Sequence, residues 1–442
     1  MSVAAVASRP FSDAVPVVES ADGAKANASP QVRGFVWIAG QLAVLVALTR
    51  FLNVEGGGGF SRLMAVTGAA FVIHYWIPFR WKEHFWIAVS LAGSFVLLTP
   101  LTAALLLGVG GVLFAILAAP ISYKARVALV VAVGVLMMYG RATSVTWVPF
   151  EFWAVLGAVF MFRLVIYVYD QRFAKTRPSL QEYLAYFFQL PNYYFVLYPV
   201  VDFQTMRKSY YKRDGHAIAQ QGLHWMARGI IQLLLYRLVY QLKPSARPDD
   251  VTTFATLIVA MVTTYLLYLR VSGQFHLIVG LLHLFGYDLP ETHRKYLLSR
   301  SLTDFWRRIN IYWKDFVVKV IYFPVYFRWR KSGEARAQVI ATVCVFVATW
   351  ALHSYQWFWL RGQVLMSWPD TIFWAILGSL VVINLLWERR KRAARPAAAT
   401  ESLWLRSAQV CGTFTLMVTL WSLWNAPTIP EWFDLLTWWR VA

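Results

Sequence analysis

Two side chains in this sequence stand where acid–base chemistry is unexpected. His353 lies inside the apolar run from Val339 to Trp359, and Asn310 precedes it by 43 residues. An ionisable ring at membrane depth is costly, so such groups face a bundle interior or a watery cavity and mark functional pathways. Imidazole, with an unperturbed pKa of about 6.5, is suited to proton transfer near neutral pH. A carboxamide does not titrate, but it donates a hydrogen bond to a developing oxyanion, worth roughly 3 kcal/mol for one donor. The two residues fall on different elements and meet only if the fold brings them together. The plainer alternatives are an inter-helix hydrogen bond for His353 and a helix cap for Asn310.

Around them lie further polar candidates. Arg307 and Arg308, with Lys314, Arg328, Arg330 and Lys331, are suited to phosphate, since guanidinium pairs with it bidentately; anchoring to anionic lipid is the other reading. His276 and His283 are seven apart and share a helical face, close in sequence to Asp304 and Asp315, yet no motif supplies a full ligand set, and no metal is expected. Trp313 and Tyr312 read as interfacial or packing residues. Asp202 reads as the partner of Arg207, with a place at the cytoplasmic mouth as the other reading. Cys344 and Cys411 both fall in apolar spans and behave as small hydrophobes.

The elements that must position these groups are membrane helices. Over 442 residues the chain is 59% hydrophobic, 17% aromatic and only 14% charged, with mean hydropathy +0.50. That composition excludes a water-soluble domain of this length. Apolar runs long enough to cross about 30 Å of hydrocarbon lie near 34–52, 61–78, 84–119 (a pair hinged at Pro100), 126–140, 147–169, 183–203, 225–242, 251–270, 338–360, 370–388 and 404–424. Between 272 and 330 charge breaks the pattern, which predicts short, tilted or re-entrant helices. The expected architecture is all-α and polytopic, with roughly eleven to thirteen membrane helices. Residues 1–33 read as a disordered tail and 34–442 as one membrane-embedded domain. Glu55 to Gly59, Pro244 to Pro248 and Arg395 to Thr400 read as links between spans.

The formal net charge of +20 does not indicate nucleic acid, because Lys and Arg cluster between apolar spans. Excess positive charge in short loops marks the cytoplasmic side. The loops after 203, 327 and 388 are therefore expected in the cytoplasm, and the lipid bilayer is the expected environment.

Between 269 and 316 the sequence carries an ordered series of motifs. They are Ser272-Gly273, Gly280, Phe285-Gly286, Leu289-Pro290-Glu291, and Ser301-Leu-Thr-Asp304-Phe-Trp306-Arg307-Arg308, followed by Asn310 and, on the next long apolar helix, His353. This series resembles the membrane-bound O-acyltransferase family, closest to the bacterial branch that acylates polysaccharides and cell-wall polymers. Upstream, Tyr186-Phe-Phe-Gln-Leu-Pro191 through Asp202 is similar to a further segment of that family. Asn310 stands where the bacterial branch often has His. Trp350-Ala-Leu-His353-Ser-Tyr-Gln-Trp357 differs from the family's usual Leu-Trp-His-Gly-Ala-Asn-Trp.

The resemblance implies a signature region over 269–360, with His353 as general base and Asn310 orienting the donor or stabilising the oxyanion. Trp306, Arg307, Arg308, Asp304 and Ser272 are then candidates for donor and substrate binding. It implies transfer of an acyl group, acetyl by analogy, from acyl-CoA or an acyl carrier protein thioester to a hydroxyl of a glycan or another envelope acceptor. No bound cofactor is implied; the setting is the bacterial inner membrane, alongside envelope-assembly proteins. Two other readings stay open: a transporter or channel with His353 as proton relay, and a catalytically inactive relative that serves as an assembly partner.

Overall fold

A computed structural model describes residues 29–174, 176–244, 250–394, 402–437 and 439, with side chains at 391–394 left aside. Of the tail expected over 1–33, residues 1–28 lie outside the described residues, as do the links at 245–248 and 395–400, while Val32 and Arg33 already belong to the first helix. The described residues form an all-α bundle with no strand; the nearest approach to one is an isolated bridge between Tyr210 and Tyr287.

The helices are α1 (Val32–Phe51), α2 (Gly58–Trp76), α3 (Phe79–Leu97), α4 (Pro100–Ala118), α5 (Tyr123–Ala142) and α6 (Phe150–Gln171). Two short ones follow, α7 (Leu180–Phe187) and α8 (Phe203–Ser209), then α9 (Gly215–Leu242), α10 (Phe254–Leu266) and α11 (Leu269–His283). The chain continues through α12 (Leu302–Arg308), α13 (Ile311–Val317), a π-turn over Val318–Tyr322, and α14 (Phe323–Trp329). It ends with α15 (Glu334–Arg361), α16 (Trp368–Ala394), α17 (Leu403–Trp424) and α18 (Ile429–Leu436).

Seven stretches among the described residues are long and apolar enough to cross a membrane: α1, α4, α5, α6, the joined α10–α11 run, α15 and α16. The chain is an integral membrane protein. Four more helices, α2, α3, α9 and α17, are of comparable length but do not combine length, hydropathy and low charge as the seven do, which accounts for much of the gap from the eleven to thirteen expected. The pair hinged at Pro100 is present as α3 and α4, with Thr99 capping α4 by accepting from the Thr102 N–H.

The expected span over 183–203 is absent. Pro191 and Pro199 deny the backbone two donors, so helix stops after α7 and a 3-10 turn, Leu190–Tyr193, takes its place. The carbonyls this releases inside the bundle need partners. Arg163 supplies them from α6, donating to the Tyr186 carbonyl at 2.8 Å, the Phe187 carbonyl at 3.1 Å and Gln189 Oε1 at 3.3 Å. A cation at the end of a short helix also complements its dipole.

The closest helix pair is α9 with α11. Gly222 and Gly229 face Gly280 and Gly273, so that a Cβ on Gly280 would stand 2.6 Å from the Gly222 carbonyl oxygen. Small residues at such a crossing let two backbones approach and gain van der Waals contact where lipid provides no hydrophobic drive.

The region from 290 to 330 dips into the bundle and returns. Thr303 Oγ1 donates to Asn384 Oδ1 at 3.1 Å, tying the start of α12 to the end of α16. That end also meets the start of α15, through Arg389 and Glu334 at 3.8 Å. Deeper in, Trp306 packs on Phe346 at 4.8 Å and Trp313 on Phe162 at 4.8 Å. The chain then climbs back, and Lys319 in the π-turn bridges Asp170 at 2.6 Å and Asp202 at 2.5 Å. Asp202 thus pairs with Lys319 instead of Arg207, while Arg207 pairs with Glu182. Burial would lower the Lys319 pKa, but the two carboxylates outweigh it and raise it.

Candidate active site

His353 lies some 28 Å along α15 from Glu334, at 1.5 Å per residue. Its Nδ1 stands 2.8 Å from the Thr349 carbonyl oxygen. A carbonyl only accepts, so Nδ1 carries the proton of the neutral ring and Nε2 presents the lone pair. The same carbonyl fixes the plane of the ring.

Three indoles surround that imidazole. Trp313 meets it edge-on with centroids 5.2 Å apart, Trp374 lies at 4.9 Å and Trp424 at 6.1 Å. Trp313 and Trp374 are buried, whereas His353 is half-buried. They come from α13, α16 and α17, so the cage exists only in the folded bundle. It is held by hydrogen bonds at the indole nitrogens. Trp313 Nε1 donates to Thr349 Oγ1 at 3.4 Å. Asp370 Oδ1 accepts from Trp374 Nε1 at 3.2 Å and from Trp424 Nε1 at 2.6 Å. One carboxylate oxygen therefore fixes two walls of the cage.

Asn310 is linked to one wall of the cage through the backbone of Trp313. It is the N-cap of α13, in the left-handed region with φ 36°, a conformation that Asn tolerates better than most residues. Its Oδ1 accepts from the Trp313 N–H at 3.2 Å. The helix-cap reading of Asn310 is thus correct for the oxygen. The amide nitrogen is not used by the cap and stays a donor. The fold joins Asn310 to His353 by a single intervening tryptophan.

The other sequence candidates are distributed differently. Asp304 and Arg308 satisfy each other at 2.7 Å on α12, and Asp304 Oδ2 also accepts from the Arg300 N–H at 3.0 Å. Their pairing braces the descending arm of the re-entrant segment. Trp306 packs beside them on Phe346, and Arg307 is half-buried on the same helix. Ser272 is fully buried on α11, where Oγ contacts the Leu269 carbonyl at 3.2 Å and the Tyr296 hydroxyl at 3.4 Å. It belongs to a separate polar group with Tyr268 and His293, whose side chains lie 3.0 Å apart.

His276 and His283 do not converge on a common point. His276 Nδ1 bonds the Ser272 carbonyl at 2.7 Å and Gln232 Oε1 at 2.9 Å, while His283 Nδ1 bonds the Val279 carbonyl at 2.7 Å. Among the described residues no three His, Cys, Asp or Glu side chains form a metal-binding group.

Trp313 has a larger part than sequence reasoning assigned it, and Trp374, Trp424 and Asp370 were missed. A signal for Asp370 was present: it is a lone carboxylate at the start of an apolar span, the kind of residue that membrane energetics marks as functional. The tryptophans had no comparable signal, since 22 are scattered through the chain. No known family model matches the sequence, and no curated protein matches it.

Proposed function

We propose that this protein is a membrane O-acyltransferase in which His353 is the general base. The observation that carries this reading is the Nδ1–H bond from His353 to the Thr349 carbonyl, which leaves the Nε2 lone pair inside a tryptophan cage. In the reaction Nε2 takes the proton of the acceptor hydroxyl while the hydroxyl oxygen attacks the carbonyl carbon of a thioester. The oxyanion so formed is stabilised by the Asn310 amide N–H. Collapse breaks the carbon–sulfur bond, and the departing thiolate takes the proton from the imidazolium, restoring neutral His353. The indole walls keep bulk water from the thioester, which would otherwise hydrolyse.

Sidedness follows from charge. Arg207, Lys319, Arg328 and Arg389 lie toward the end of the bundle where α15 begins, and the positive-inside rule makes that end cytoplasmic. An acyl-CoA or acyl carrier protein donor enters there, past Trp306 and Arg307. His353 lies toward the far end of α15, so the acceptor hydroxyl comes from the other face. An envelope or secreted glycan is an acceptor of the right kind, and acetyl is the acyl group that the family resemblance favours. The setting that fits is a bacterial cytoplasmic membrane.

The test is label transfer from acetyl-coenzyme A in membrane vesicles containing wild-type protein, His353→Ala or His353→Gln. A general base contributes on the order of 10²–10⁴-fold, and both variants should lose that much while melting close to wild type. Equal transfer by wild type and His353→Ala removes His353 as the base.

A further inference from the structure

A second site lies apart from His353, at the basic end of the bundle where α3, α7 and α8 meet the turn after α11. A cavity of about 240 Å³ opens there, with Glu83, Gln181, Glu182 and Arg207 among its lining and Tyr210 and Tyr287 deeper in. Arg207 is paired with Glu182, so the two charges offset each other. Glu83 differs. Its Oε2 accepts from Gln181 Nε2 at 2.5 Å, and among the described residues no cation pairs with its carboxylate. The lining therefore carries one uncompensated negative charge.

The phenols supply the second observation. Tyr287 is 2% exposed and lines the cavity, yet its hydroxyl has no hydrogen-bond partner; the Tyr210 hydroxyl is likewise buried and unpartnered. Their rings are 5.1 Å apart, which brings both phenols to one part of the wall. Burial first, and then neighbouring tyrosines and Glu83, push both phenols well above their ordinary range, so they remain neutral O–H groups with free oxygen lone pairs. A buried polar group without a partner in the protein costs about 1–3 kcal/mol, a penalty that a ligand removes.

One chemistry satisfies all three groups together. An alkylammonium presents three N–H donors and no acceptor, and it matches one carboxylate and two phenol oxygens. Its charge neutralises Glu83, and the aromatic rings around it are favourable neighbours for a cation. We propose that this cavity binds a primary ammonium group, carried by a small soluble amine or by an amine-bearing lipid headgroup. The site stands independently of the acyl-transfer reading.

Ethanolamine and ethylene glycol test it, because they share size and hydroxyl and differ in the ammonium. Purified full-length protein in detergent is titrated with each at constant ionic strength, followed by calorimetry and by melting temperature. Ethanolamine should bind and raise the melting temperature, and ethylene glycol should do neither. Glu83→Gln should weaken ethanolamine by at least about tenfold, and Tyr287→Phe several-fold, with the ligand-free melting curve of Glu83→Gln close to wild type and that of Tyr287→Phe at or above it, since its unpartnered hydroxyl is gone. Protein in phosphatidylethanolamine nanodiscs identifies the source. Loss of the ethanolamine response there, but not in phosphatidylcholine, assigns the site to the headgroup; a response kept in both assigns it to a soluble amine. Equal responses to ethanolamine and ethylene glycol, or undiminished binding by Glu83→Gln, overturn the proposal.

Discussion

The Trp313 indole meets the His353 imidazole edge-on, with centroids 5.2 Å apart and planes inclined at 69°. Trp313 is also the residue whose backbone N–H is capped by Asn310. Whatever moves the start of α13 therefore moves a wall of the histidine cage.

Asn310→Asp separates the two jobs of the asparagine. Aspartate caps a helix as well as asparagine does, and it also tolerates the left-handed backbone. It has no N–H to offer an oxyanion and adds a repelling charge. Acyl transfer should fall by about 10²–10³ while the melting temperature stays near wild type. Asn310→Ala should lose the same activity and in addition about 1 kcal/mol of stability from the missing cap. Wild-type activity in Asn310→Asp would confine Asn310 to the cap.

Asp370→Ala should loosen the cage from outside. It frees both Trp374 Nε1 and Trp424 Nε1, each now bonded to one carboxylate oxygen. Leaving buried donors unsatisfied costs about 1–3 kcal/mol apiece, so a lower melting temperature is expected together with weaker acyl transfer. Asp370→Asn keeps an acceptor oxygen and should recover most of both. If Asn behaves no better than Ala in melting and transfer assays, the hydrogen bonds are not what holds the cage.

Gly280→Ala tests the α9–α11 crossing. The new methyl would meet the Gly222 carbonyl oxygen at 2.6 Å and the Met226 backbone nitrogen at 2.9 Å, and backbone atoms cannot swing aside. A loss of about 1–3 kcal/mol is expected, read as a lower melting temperature and less folded protein. Gly108→Ala is the control. Nothing lies within 4 Å of its would-be methyl, and Ala is the better helix former, so stability should hold or rise.

His293 gives stability a pH dependence. Burial first, and then His276 and Arg228, hold its pKa well below 6.5. On acidification the unfolded chain takes up the proton before the folded one, so the unfolded state binds more protons and stability rises with pH. The contribution is complete above about pH 6.5 and declines below it, by up to about 1.4 kcal/mol per pH unit for this one group. Melting temperatures at about pH 7.5 and about pH 5.5 should differ more for wild type than for His293→Gln, which has no proton to gain. An unchanged difference in the variant would place the dependence elsewhere.

The membrane class and the helices on either side of Pro100 were legible because apolar periodicity and charge are local properties, printed along the chain; the broken region was legible too, but it begins after His283 and not at 272, since α11 continues the apolar span through Ser272. His353 was legible for the same reason, as a polar residue in a run where none is expected. Asn310 was legible as a residue and a cap, though its link through Trp313 to a wall of the His353 cage was not. Only the tertiary structure decided that α13, α16 and α17 would each bring one tryptophan to the same imidazole and that Asp370 would tie two of them. It also decided that Arg163 would serve the carbonyls of an interrupted helix, where the apolar count alone predicted a span over 183–203. Apart from the local bond of Asp370 to Trp374, these are contacts between residues tens of positions apart, and their energy depends on directed hydrogen bonds and ring geometry. Hydropathy averages over a window and carries no information about direction.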